Sequence, residues 1–207
     1  GAAGVPLGQI AQRLASSRAT VLLLVTLAVF WALQTQLLVM FPARAGVVAA
    51  GSAQQAAWLV SILFLVNGVL FVVLQVTLTG RLGSVTPHQQ LRIGGALVAV
   101  AVCLAILATS LALLIVAIAV FTLGEVLALP SVELVVSDLA PSELLGSYFG
   151  VASVAAGLGT GIGSAVGGVL AGSSALAAAA GFATLAAMLA LLTTQLRVHC
   201  AVVGAQR

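Results

Sequence analysis

One acidic residue stands where hydrocarbon is expected. Glu125 lies inside the run FTLGEVLALPSVE, with Pro130 five residues on. An ionised carboxylate at the centre of a bilayer costs on the order of 3 kcal/mol by insertion scales. The apolar neighbours offset that cost for insertion but do not solvate the charge. Such a carboxyl takes up or releases a proton according to whether water or a cation reaches it. Gly124 leaves room beside it. Pro130 has no amide hydrogen and clashes with the carbonyl of Val126, which predicts a kink within a turn of Glu125 and a freed carbonyl nearby. A second acid, Glu133, lies about 12 Å further along a helix rising 1.5 Å per residue, toward its inner end. Each carboxyl also has a structural reading: Glu125 bonded to a neighbouring helix, Glu133 reaching the interface.

The other polar side chains inside apolar runs are few. Gln34, Thr35 and Gln36 share one run, Asn67 and Gln75 a second, and Thr122 accompanies Glu125. Gln34 and Gln36 are about 200° apart on a helical wheel, so they cannot both face one cavity squarely. Either can serve a binding site or hydrogen-bond between helices, and Asn67 is read as packing. Glu125, Gln36, Gln34 and Glu133 are the candidates for binding substrate or protons. His88 and His199 are far apart in sequence, and no CxxC or HExxH spacing marks a metal site. No serine–histidine or aspartate-pair constellation points to an enzyme, and no cofactor motif is present. All seven basic residues are arginines, too scattered for nucleic-acid binding.

The elements that must position these residues follow from composition. The 207 residues are 62% hydrophobic and 5% charged, with mean hydropathy +1.30. A soluble surface needs roughly a quarter charged residues, and the apolar runs exceed the length of about 20 that spans a bilayer as helix. The chain reads as an all-α polytopic membrane protein. Runs and breakers predict six spans, at about 20–41 (stopped by Pro42), 56–78, 93–108, 111–136, 144–171 and 175–196. Residues 1–19 read as a linker that looks like the middle of a longer protein, and 197–207 as a tail. With a cytoplasmic N-terminus, Arg13, Arg18, Arg81, Arg92, Arg197 and Arg207 fall inside and only Arg44 outside. That positive-inside bias places both termini in the cytoplasm. The third and sixth spans carry no charged or amide side chain at depth and are expected to face lipid.

The fifth span holds a stripe of small residues: Ala155, Gly159, Gly163, Gly167 and Ala171 recur every four positions. Small residues let helix backbones approach closely in lipid. The stripe packs within the bundle or forms a sliding contact with another domain.

WALQTQLLVMFP, TGRLG and LGEVLALPSVELVVSDLAPSELLGSYFG together resemble the seventh helix, the loop after the eighth, and the tenth-to-eleventh-helix region of a major facilitator superfamily transporter. The likeness covers nearly the whole chain as a C-terminal six-helix half, nearest to bacterial drug:proton antiporters. Arg81 and Gly83 match the loop signature, although Gly80 stands where the family has an acid. Leu145 likewise replaces a usual basic residue before Gly146. The resemblance implies that the first and fourth spans line a cavity, the third and sixth face lipid, and the second and fifth meet the other half. Gly159, Gly163 and Gly167 would then belong to the contact between halves. It further implies proton-coupled transport of small amphipathic or cationic molecules across a bacterial cytoplasmic membrane. The partners would be the lipid bilayer, the small-molecule substrate, protons and a second six-helix half, most simply one preceding Gly1. The alternatives are a half with only a packing role, or a carrier of another solute such as a sugar or metabolite.

Overall fold

The computed structural model describes residues 17–78 and 85–204, with side chains placed through residue 198. Arg81 and Gly83 of the loop signature lie outside the described residues. Helix is the only regular structure among those described: α1 (Arg18–Gln34), α2 (Gln36–Val48), α3 (Ala53–Leu78), α4 (Pro87–Ile106), α5 (Leu111–Leu139), a 3-10 turn (Ser142–Leu144), α6 (Leu145–Ala171) and α7 (Ala175–Gly204). They make six segments long and apolar enough to cross a membrane, because α1 and α2 together form one, Arg18–Val48.

That first segment corrects the sequence expectation twice. Pro42 does not stop it; the proline sits inside α2, and the helix runs on to Val48. The discontinuity comes earlier, at Thr35, where the amide of Leu38 reaches back only three residues to the Thr35 carbonyl at 3.0 Å. The Gln36 side chain meanwhile donates to the Ala32 carbonyl at 2.9 Å. A side chain inserted into the i→i−4 ladder is a recognised cause of such breaks. The segment ends in a left-handed turn, Ala50 at φ 51° and Gly51 at φ 86°; glycine adopts that conformation without steric cost.

Elsewhere the helix starts are written in local chemistry. Thr86 and Gln89 form a reciprocal capping box, and Pro87 follows at the first helical position, so α4 begins six residues before the expected Ile93. The Ser110 hydroxyl accepts from the Leu113 amide at 3.4 Å and starts α5. Pro130 lies within α5 without ending it. The α7 helix continues past the expected Leu196 to Gly204.

Packing rests on glycine. A Cβ on Gly94 of α4 would stand 2.6 Å from the Gly124 carbonyl, and one on Gly124 of α5 the same distance from the Gly94 carbonyl. The two backbones therefore touch, which lets Cα–H groups approach the facing carbonyls. Gly124 thus makes room for α4, not for the carboxyl beside it. Gly95 admits Leu189 of α7. Consequently α4 is packed between α5 and α7 and half-buried, which overturns its expected lipid-facing position. An apolar span without polar groups reads alike against lipid and against other apolar helices.

The main core gathers Phe30, Leu33, Phe41, Val98, Ile118, Phe121 and Phe182 with their neighbours. Phe41 and Phe121 meet edge-to-face with centroids 5.5 Å apart, a favoured aromatic geometry. A smaller cluster, Leu23, Leu27, Val135, Val136 and Leu196, closes the end where α1 begins and α5 finishes. Arg44 clasps the opposite end, its Nη2 donating to the Ala108 carbonyl at 2.9 Å in the turn after α4.

Candidate functional site

Three helices converge on Glu125. It is 6% exposed and lies near the middle of α5. One carboxylate oxygen, Oε1, accepts a hydrogen bond from Nε2 of Gln34, the last residue of α1. The other, Oε2, accepts from Nδ2 of Asn67 on α3 at 2.6 Å. Asn67 also donates to the Thr122 hydroxyl at 2.9 Å, and that hydroxyl donates to the Ile118 carbonyl at 2.7 Å. Both donors to the acid are neutral amides. They stabilise a carboxylate through charge-assisted hydrogen bonds without cancelling its charge.

The Oε1 atom of Gln34 is buried and has no hydrogen-bond partner. An amide presents donors on one side and an acceptor on the other. Turned about its terminal bond, Gln34 would present that acceptor to a protonated Glu125. One glutamine can therefore serve both protonation states of the acid.

Gln34 and Gln36 part company, as their wheel positions require. Gln36 is fully buried and faces away from the acid. Its Nε2 donates to the Gly163 carbonyl of α6 at 2.9 Å as well as to Ala32. The Thr35 and Ser164 hydroxyls lie 3.4 Å apart alongside. So Gln36 is a link between helices and not a member of the Glu125 cluster.

The glycine stripe belongs to that same contact. A Cβ on Gly159 would lie 2.2 Å from the Ala28 carbonyl, one on Gly163 2.5 Å from the Ala32 Cα, and one on Gly167 2.2 Å from the Gln36 Oε1. The ascending pairs show α1–α2 and α6 running parallel, small residue against small residue at Ala28 and Ala32 and glycine against the Gln36 amide beyond them. These three glycines pack inside the bundle, so their expected place at a contact between halves is not the one they occupy.

Glu133 is exposed and is not brought to Glu125. Pro130 lies inside α5, about one and a half turns beyond the acid, where Ser131 donates to the Ala128 carbonyl at 2.7 Å; a break in the helix ladder lies across from the acid, at Thr35. Asn67, which the sequence reading treated as packing, is the residue missed. Its signal was available: an amide in a span otherwise apolar from Ile62 to Leu74. Among the described residues no three His, Cys, Asp or Glu side chains gather as metal ligands.

Fold and site define a class: an all-α, multi-pass membrane protein with a buried acid held by amides from two other spans. Comparison with models of known protein families finds no match, and comparison with curated protein sequences finds none either.

Proposed function

We propose that this chain is one six-helix half of a proton-coupled carrier for small amphipathic or cationic molecules, of the major facilitator kind, in a bacterial cytoplasmic membrane with both termini inside. The observation that carries the reading is Glu125: a carboxyl buried at mid-span, satisfied by two neutral amides on separate helices. Protonation or a bound cation neutralises it, and either event changes what the two amides must bond. A coupled carrier needs a group of that kind, whose occupancy is linked to helix positions. Apolar residues exposed along α3 and α6, among them Val69, Val72, Leu158 and Ile162, are where a second half would dock.

The test is ΔpH-driven efflux of a lipophilic cation from proteoliposomes holding the chain with its second half. Glu125→Gln should abolish coupled efflux while the protein stays folded. Normal transport with unchanged pH dependence in that variant would remove the proton role.

A second reading has its own support, because the same carboxyl ties α1, α3 and α5 together and is thereby a structural joint. It predicts that Glu125→Gln lowers folded yield and leaves the coupling of whatever protein folds intact.

A further inference from the structure

A cavity of about 300 Å³ opens at the end of the bundle away from Arg44, between the first turns of α4 and the last described turns of α7. Its polar lining comes from His88, Gln89, Arg92, Thr193, Thr194 and Arg197. The arginines are the only charged residues among those lining it. Asp138 and Glu143, which share this end, do not line it. Arg92 and Arg197 are exposed, and neither forms an ion pair among the described residues. His88 Nε2 is buried without a hydrogen-bond partner.

The donors available to a ligand can be sorted. Thr193 and Thr194 donate their hydroxyl hydrogens to carbonyls of their own helix, at 2.9 and 2.7 Å. The α4 N-terminus is already capped by Thr86. The charged donors are the two guanidinium groups, and the His88 imidazole and the Gln89 side-chain amide line the same cavity. Guanidinium forks match the paired oxygens of a phosphate, and a cavity near 300 Å³ lies at the small end of ligand sites.

Depth selects the source of that phosphate. Arg197 is 22 residues beyond Ala175, or about 33 Å along α7, against a hydrocarbon thickness of about 30 Å. The guanidinium groups therefore stand at headgroup level, Arg92 reaching it along its aliphatic stem. Below them the exposed faces turn apolar, with Leu191 and Met188 on α7 and Ile93 and Val100 on α4. Basic pockets between membrane helices are suited to anionic headgroups.

We propose that this cavity binds the phosphate of an anionic phospholipid, with Arg92 and Arg197 gripping the phosphate oxygens and an acyl chain lying along the apolar faces beneath. The site is independent of Glu125, so its success or failure leaves the transport reading untouched.

Native mass spectrometry of the full chain in mild detergent tests it, with titrations of dioleoyl phosphatidylglycerol and of dioleoyl phosphatidylcholine, whose choline cation would face the arginines. The glycerol lipid should bind at least about tenfold tighter, and Arg92→Gln with Arg197→Gln should weaken it about 30-fold. The Lys/Lys pair at the same positions should keep most of the preference. Equal binding of the two lipids, or full retention by the Gln/Gln variant, overturns the proposal. If that variant fails to fold, the unmodified chain decides. Its preference should collapse between about 0.15 and 1 M salt, and a preference unchanged by salt also overturns it. Glycerol 3-phosphate binding as tightly as the lipid would make this a soluble-phosphate site and sink the lipid assignment.

Discussion

Glu125 is an ionisable group whose two hydrogen-bond donors are neutral amides. Removing either donor leaves one buried carboxylate oxygen unsatisfied, at a cost of about 1–3 kcal/mol. Gln34→Leu and Asn67→Leu should therefore each lower the thermal unfolding midpoint in detergent, followed by circular dichroism. A midpoint unmoved in both would mean the hydrogen bonds contribute nothing net. Arg44→Gln removes the charged donor from the Ala108 carbonyl and should cost about 2 kcal/mol in the same assay. The acid itself was legible in the sequence because a carboxylate in a greasy run violates hydropathy. Its partners were only half legible. Gln34 and Gln36 are indistinguishable by type, and Asn67 sits on another span; only the fold shows which amides reach the acid.

Among the helices, the close contacts are set by glycines that no side chain can replace. Gly159→Ala and Gly124→Ala each push a methyl into a facing backbone, and overpacking of this sort costs about 1–3 kcal/mol. Gly161 lies on the same helix as Gly159 with nothing within 4 Å of its added Cβ. Gly161→Ala should be neutral or stabilising by up to about 1 kcal/mol through helix propensity. Thermal melts of the three variants side by side separate packing from propensity; equal losses in all three would refute the assignment of faces. The four-residue period of the stripe was plain in the sequence. Its partner was not, because Ala28 and Ala32 are unremarkable in an apolar run. The same limit explains α4: Gly94 and Gly95 were visible, but which helices they admit depends on the tertiary arrangement. Pro42 reads as a stop from local sterics, yet it lies within a helix that continues to Val48; Pro130 likewise lies inside α5. In membrane helices the freed carbonyls find other partners, so proline alone does not set the ends.

At the scale of the whole molecule, burial is uneven. The α1–α2 segment, α4 and α5 are about half-buried, whereas α3, α6 and α7 bury only a small share of their length. Trp58 near the start of α3 is 66% exposed, while Trp31 packs edge-on against Phe30 at 5.8 Å. In bilayers of brominated lipid, Trp58 fluorescence should be strongly quenched in the chain alone, measured in a Trp31→Phe background. Weak quenching would show that the α3 face is already covered. The all-α, membrane-spanning class was legible because composition alone forbids a soluble surface. That the third span is also central was not, because hydropathy does not distinguish lipid from an apolar neighbour.

The two amides around Glu125 also bear on how the protein is made. Gln34 and Asn67 precede the acid in the chain, and synthesis runs from the N-terminus. When the span bearing Glu125 leaves the ribosome, both of its hydrogen-bond donors are already in the bilayer. The costliest side chain in the bundle is thus delivered last of the three, into a place prepared for it. Transplanting the α5 segment ahead of α1 would remove that advantage while leaving every native contact available.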